Sequence, residues 1–316
     1  MSWRDQNERG NLSTVRLMRR LTQLLPRSLA RQLLHPIALY FLLTSTPARR
    51  ASRDFLARAT GRPSSLWQVY RHYLSFATVV MDRVYLLTSR FDCFAFSVEG
   101  EDIALGVLGR KRGLFLLGAH IGSFEVLRAV GRHVAVPPIA MVMYEENARA
   151  INAALAEIDP ALAREHEIIG LGRPDSMLRV RDALDRGAII GILADRLLDA
   201  QAGASDLRRL PFMGRLAPFP VGPFRMAALL RRPVMLMLGI HLGGNRYHLV
   251  FEPIHDFSDD LPAQRPAAID AAMQAYVARL EHYATRYPLN WFNFFDVWQG
   301  DDATTDPPLD ERARLQ

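Results

Sequence analysis

From about residue 91 onward, short apolar runs alternate with stretches of helical periodicity, and this alternation leaves the chain few architectures. Strands are expected over Phe94–Val98, Leu114–Ala119, Ile139–Tyr144, Glu167–Leu171, Ala188–Ala194, Val234–Ile240 and Tyr247–Phe251. Helices are expected over 123–133, 147–158, 174–186 with Pro174 at its first position, 220–230 and 262–286. Strands and helices alternating at this spacing predict an α/β fold, a mostly parallel central sheet flanked by helices. In such sheets ligands collect at the carboxyl ends of the strands.

The first 90 residues read differently. Helices are expected over 12–34 and 36–60, with Pro26 and Pro36 as breaks, and over 64–90, where Ser64 and Ser65 offer a cap. Residues 1–72 carry 13 arginines and three acidic residues, a net of +10. The remainder carries 26 basic and 30 acidic residues, a net of −4, so the whole positive excess is N-terminal. That region is also rich in large aliphatic and aromatic residues, and a basic, apolar, helical segment fits an anionic membrane surface. Nucleic acid is the rival partner for a basic arm. Arginines interleaved with large aliphatic residues, rather than with glycine, serine or stacking platforms, argue for the membrane and against nucleic acid. The longest apolar stretch, about residues 36–43, falls short of the roughly 20 residues a span needs. The expected attachment is therefore interfacial, peripheral or monotopic, through an N-terminal helical membrane-associating segment; an ordinary amphipathic helix packed on the domain is the competing reading. No secretory signal is expected, because Asp5, Glu8 and scattered arginines interrupt the first 25 residues. The chain then divides into a basic helical region (1–90), an α/β core (91–300) and an acidic tail (301–316). The single cysteine, Cys93, excludes an intramolecular disulfide framework and a cysteine-based zinc site. His241, His248 and His255 recur every seven residues but fall on strand and loop, so no metal set is expected.

The chemistry-bearing run is Gly113-Leu-Phe-Leu-Leu-Gly-Ala-His-Ile-Gly-Ser-Phe-Glu-Val-Leu-Arg128. An apolar strand runs into His120, and Glu125 follows at the start of a helix. Five helical positions turn through about 500°, so two helical residues at this spacing do not share a face. The pair can meet only if His120 sits on the turn and Glu125 reaches back from the first helical turn, giving a base and an orienting acid. The competing reading is a histidine that caps the helix. Gly118 and Gly122 leave room for a substrate beside the backbone, and the N–H groups of residues 122–124 are candidates to stabilise an oxyanion. Asp195-Arg196 ends a second apolar strand, either as part of a site or as an ion pair closing the sheet edge. The stretch Pro211–Gly222 reads as a shaped loop, which either lines a pocket or is simply long. Five aromatic residues between Trp291 and Trp298 either pack on the core or line an apolar ligand site. There is no nucleophile elbow, dinucleotide fingerprint or phosphate-binding P-loop.

Taken in order, these pieces resemble the bacterial lysophospholipid-acyltransferase-like family, most closely its lipid A late acyltransferase branch. The set comprises H-x4-E after a strand, Asp195-Arg196 after a later one, Pro211-Phe-x-Gly before a helix start, Glu252-Pro253-Ile254, and a terminal W-F-x-F-F-x-x-W, over roughly residues 10–298. The resemblance implies an O-acyltransferase that moves a fatty acyl group from a thioester donor, acyl carrier protein or coenzyme A, to a hydroxyl of a lipid acceptor. It implies the cytoplasmic face of the inner membrane and no metal or redox cofactor. It makes His120 the general base and Glu125 its orienter, and sets Gly122 and Ser123 beside the substrate. Arg173 would match the family's second basic motif, Asp195 and Arg196 its acidic–basic pair, and Phe212 with Gly214 the loop that shapes the acceptor site. An acidic acyl carrier protein would dock electrostatically on arginine, which supplies 38 of the 39 basic residues. The chain departs from the lipid A branch at its N-terminus, where a clearer membrane helix is usual. The opening Trp3–Gly10 looks more like relatives encoded beside aryl-polyene pigment genes. An aryl-polyene-type pigment lipid or a lysophospholipid is thus the alternative acceptor, and a non-catalytic lipid-binding protein the alternative of another class.

Overall fold

The computed structural model describes residues 26–127, 137–144, 167–196 and 206–298. The helix start at 12–25, most of the helix expected over 123–133, the one over 147–158 and the acidic tail lie outside them. Seven strands build one sheet: β1 (Ala95–Glu99), β2 (Leu114–Gly118), β3 (Ile139–Tyr144), β4 (Glu167–Leu171), β5 (Ile189–Leu193), β8 (Pro233–His241) and β9 (Arg246–Asp256). Their spatial order is β1-β9-β8-β2-β5-β3-β4, and every neighbouring pair is parallel except β8 with β9. The mixed α/β class and the mostly parallel sheet match the reading of the sequence. β2, β5 and β8 are apolar nearly throughout because helices cover both faces of a parallel sheet.

β2 is the middle strand. The strands that follow it immediately, β3 to β5, lie on one side, whereas β8, β9 and β1 lie on the other. This reversal makes the carboxyl end of β2 the switch point, where open α/β sheets leave a crevice.

The N-terminal helices are α1 (Arg27–Gln32), α2 (Leu34–Thr44), α3 (Thr46–Thr60) and α4 (Leu66–Leu87). α4 begins where expected. Ser65 accepts from the Gln68 N–H at 3.2 Å while the Gln68 side chain accepts from the Ser65 N–H at 2.8 Å, a reciprocal capping box. Pro36 does not break the chain, as expected, but sits in the first turn of α2, where its missing N–H would have had no helical partner. The interruptions fall instead at Leu33 and Ser45. Nor is residue 90 a boundary in packing. Phe55 and Leu56 of α3 and Val69 and Tyr73 of α4 belong to the same buried cluster as Phe115, Leu117 and Ile190 of the sheet.

The remaining helices are α5 (Glu101–Leu108), α6 (Ser176–Asp185), α7 (Gly222–Leu230) and α8 (Arg265–Arg286). The segment read as a loop is a two-stranded antiparallel hairpin, β6 (Leu207–Phe212) and β7 (Arg215–Pro220). Its turn is Met213-Gly214, both at positive φ (51° and 80°), the conformation that matches strand twist in a two-residue hairpin. Pro211, Pro218 and Pro220 lie within its strands because a two-stranded ribbon has only edges, where proline is tolerated. Among the described residues, no helix is long and apolar enough to cross a membrane.

Candidate active site

The register of β2 with β5 assembles the site. Gly118 pairs with Leu193, so two further residues on each strand carry His120 and Asp195 out side by side at the switch point. The Asp195 carboxylate takes three donors. The His120 backbone N–H donates to Oδ2 at 3.0 Å, His120 Nδ1 lies 2.9 Å from Oδ1, and Asn293 Nδ2 donates to Oδ2 at 2.8 Å. The Asp195 side chain is wholly buried. Burial alone would raise its pKa; the charge and hydrogen bond of His120, the Arg196 guanidinium and the Asn293 amide outweigh it and hold the carboxyl far below the usual carboxylate range. An ionised carboxylate only accepts, so Nδ1 carries the proton and the lone pair of His120 sits on Nε2. The imidazole keeps 23% of its exposure, so that lone pair is within reach of a ligand.

Neighbouring chain segments clamp the turn that carries His120. Phe292 N–H donates to the His120 carbonyl at 2.7 Å, and Gly122 N–H to the Asn290 carbonyl at 2.9 Å. Ser123 N–H donates to the Gly239 carbonyl at 2.8 Å. Gly122 has φ +65°, and a Cβ there would lie 2.0 Å from the Gly239 oxygen; a Cβ on Gly239 would lie 2.1 Å from the Ser123 oxygen. Only glycine permits this approach on either side. Phe124 rests on a flat seat made by Gly118 and Gly191 of the two paired strands. Ala194 N–H and the Tyr276 hydroxyl of α8 both donate to the Gly118 carbonyl, at 3.0 and 2.8 Å, which fixes the strand end itself.

The carboxylate that meets the His120 imidazole is therefore that of Asp195, not that of Glu125. Glu125 lies on a 3-10 turn (Phe124–Val126), and both of its oxygens are engaged elsewhere: Arg83 Nε at 2.7 Å and the Ser123 hydroxyl at 2.8 Å. The oxyanion expectation also changes, because the N–H groups of Gly122 and Ser123 are spent within the protein. Arg196 lies beside Asn293 (Nη1 to Oδ1, 3.5 Å) and over the Phe295 ring, and so belongs to the site. Arg173 does not. It follows β4 at the edge of the sheet, three strands or roughly 14 Å from β2, and pairs with Asp175 at 3.3 Å. Phe212 is wholly buried against Phe219, Trp291 and Trp298, and its carbonyl accepts from Trp298 Nε1, which makes it a core residue. Gly214 is the exposed hairpin turn.

Sequence reasoning missed Asn293. It occupies the unspecified position of W-F-x-F-F, and a lone amide among five aromatic residues was the available signal: a polar group in so apolar a stretch must find a partner when buried. Missed too was α4, one face of which runs along the site. His72 donates to the Trp291 carbonyl, Phe76 stands edge-on to Phe292 and Phe294 at 5.3 Å, and Arg83 holds Glu125. These positions, four and then seven residues apart, share a helix face.

No protein-family model matches this chain, and no curated protein is significantly similar to it. Among the described residues no group of three histidine, cysteine or acidic side chains could hold a metal ion.

Proposed function

We propose that this chain is an O-acyltransferase that moves a fatty acyl group from a thioester donor, acyl carrier protein or coenzyme A, to a hydroxyl of a membrane lipid of the lipid A type. The observation that carries the reading is the imidazole of His120, oriented through Nδ1 by a buried carboxylate at the switch point of the sheet. A hydroxyl has a pKa near that of water and needs a positioned base. His120 Nε2 takes the hydroxyl proton as the oxygen attacks the thioester carbonyl. Asp195 stabilises the imidazolium, as the acid does in a serine-hydrolase triad. Collapse of the tetrahedral adduct breaks the carbon–sulfur bond, and the imidazolium returns its proton to the departing thiolate. The acceptor oxygen takes the place of an enzyme nucleophile, so no acyl-enzyme forms. The ordered set of motifs supports acyl transfer over other base-catalysed chemistry.

An attachment to the inner membrane at its cytoplasmic face fits the same reading. α2 is apolar all round, yet buries only Leu34 and Ala38. Ile37, Leu39, Tyr40, Phe41 and Leu43 are exposed, Leu43 at 66%, and Leu66 and Trp67 of α4 add to them. Trp67 stacks on Tyr70 at 5.2 Å, and the Tyr70 hydroxyl meets His35 of α2 at 2.7 Å, so the two exposed sets adjoin. A helix that is apolar all round and left uncovered in water needs an apolar phase, and the N-terminal arginine excess favours an anionic one.

The test is transfer of a labelled acyl group to lipid acceptors in vesicles. His120→Ala is expected to lower the rate about 10²- to 10⁴-fold; a folded variant with the wild-type rate would overturn the reading. Lipids from cells lacking or overproducing the chain should differ by the mass of one acyl group, which identifies chain and acceptor together.

A further inference from the structure

Glu125, released from orienting the base, holds a guanidinium beside the site. Arg83 projects from the site-facing stripe of α4 and remains 48% exposed, whereas Glu125 is only 18% exposed. Its Nε lies 2.7 Å from Glu125 Oε1, and the second carboxylate oxygen is occupied by the Ser123 hydroxyl at 2.8 Å. Ser123 is itself almost completely buried and clamped to Gly239. A carboxylate fixed at one oxygen by a buried serine is a rigid holder for a group bound at the other. Engagement through Nε leaves the end-on edge of the guanidinium, Nη1 and Nη2, with no hydrogen-bond partner among the described residues. That edge presents parallel N–H donors in the geometry that matches a phosphate or carboxylate fork-on. A surface arginine acting only as a salt bridge would gain little from so firm a support, since exposed ion pairs contribute little to stability.

We propose that Arg83 is the anion-recognition residue of this site, positioned by Glu125 and Ser123 to bind the phosphate of a phosphate-bearing substrate. The identity of that substrate rests on the acyl-transfer reading, which offers two sources of the same group: the phosphopantetheine arm of a thioester donor, and the headgroup of a lipid acceptor. The glutamate of H-x4-E then acts on binding rather than on proton transfer. It is a positioning residue, five residues from the base in sequence and served by a different set of partners.

The test reads Arg83 directly in the full chain. Phenylglyoxal modification is followed by peptide mass spectrometry, with Arg110, 61% exposed and remote from the site, as internal control. The probes are 4′-phosphopantetheine, glycerol 3-phosphate and inorganic phosphate, each compared where possible with its dephosphorylated counterpart. Phosphorylated probes are expected to slow modification at Arg83 several-fold and to leave Arg110 unchanged, and Glu125→Gln should remove that protection. Protection by phosphopantetheine assigns the phosphate to the donor, protection by glycerol 3-phosphate to the acceptor. Equal rates with and without the phosphate group overturn the proposal. Because no acyl transfer is measured, a failure here and a failure of the acyltransferase reading are separately visible. Where transfer is measurable, Arg83→Gln should raise KM for the phosphate-bearing substrate on the order of 10- to 100-fold, a loss that Arg83→Lys restores in part. A loss confined to kcat also overturns the proposal.

Discussion

His72 offers a prediction whose size follows from the structure. The ring is fully buried on α4, with Nδ1 2.8 Å from the Ser52 hydroxyl and Nε2 against the Trp291 carbonyl. Phe55, Phe292 and Phe294 surround it, the last with ring centroids 4.8 Å apart. Burial pushes its pKa down from 6.5 to about 4, and the carbonyl bond offsets only part of that. Above pH 6.5 neither the folded nor the unfolded chain holds this proton, and the contribution to stability is complete. Between 6.5 and about 4 the unfolded chain alone takes it up, so stability falls as pH falls, in all by about 3 kcal/mol. Below about 4 both states are protonated and the loss stops. Urea unfolding followed by tryptophan fluorescence suits the measurement, since Trp291 stacks on Phe55 beside the ring. Wild type and His72→Gln are compared at intervals from pH 7.5 to 4. The advantage of wild type should shrink by about 3 kcal/mol across the window. Subtracting the variant removes the contribution of His241, whose pKa burial also lowers. The stabilisation from Asp195 is complete above its ordinary value of 3.8 and is lost only as pH falls below it, outside this window. A constant difference between the two proteins would falsify the account of a buried neutral imidazole joining α4 to the Trp291 segment.

Asp195→Asn should lower kcat about 10²- to 10⁴-fold by disturbing the tautomer and orientation of His120, whereas Glu125→Gln should act mainly on KM; equal losses of kcat in an acyl-transfer assay would restore Glu125 as the orienter. Asn293→Ala leaves one Asp195 oxygen short of a donor and should cost roughly 10- to 100-fold in kcat. Gly122→Ala forces a Cβ to 2.0 Å from the Gly239 oxygen and should cost more than about 4 kcal/mol, while Gly214→Ala, with φ +80° and open space around it, should cost about 1 kcal/mol; thermal unfolding reads both, and similar losses would contradict the clamp. Tyr40→Ser with Leu43→Ser should weaken co-sedimentation with anionic vesicles by about tenfold or more, and unchanged partition would remove α2 from the membrane contact.

The strands were legible because each carries a complete local signal. Ile139–Tyr144 and Glu167–Leu171 begin and end at the expected residues, since an apolar run bounded by turn residues needs no distant partner to declare itself. His120 and Asp195 were each recognisable at a strand end. Their pairing was not, because it depends on β2 and β5 being neighbours with Gly118 opposite Leu193, a register that no local pattern encodes. Glu125 looked the better partner only because it is near in sequence. The hairpin at 207–220 was hidden by prolines that its edges tolerate, and Phe212 passed for a pocket residue because a proline- and glycine-flanked aromatic reads alike in a loop and in a core. Asn293 required knowing that the aromatic segment returns to the His120 turn, where Phe292 N–H reaches the His120 carbonyl across 172 positions, a contact that only the folded chain makes.

α4 touches the site through His72 on the Trp291 carbonyl and Arg83 on Glu125, while its first turn carries the exposed Leu66 and Trp67 beside α2. One rigid rod thus supports both the uncovered apolar patch and the turn that carries His120, and the two are not separable modules. A shortened chain starting at residue 91 would strip Phe55 from the face of Trp291 and leave the Glu125 carboxylate without its cation. Replacing only the outward side chains of α2 removes the apolar patch and keeps the rod whole.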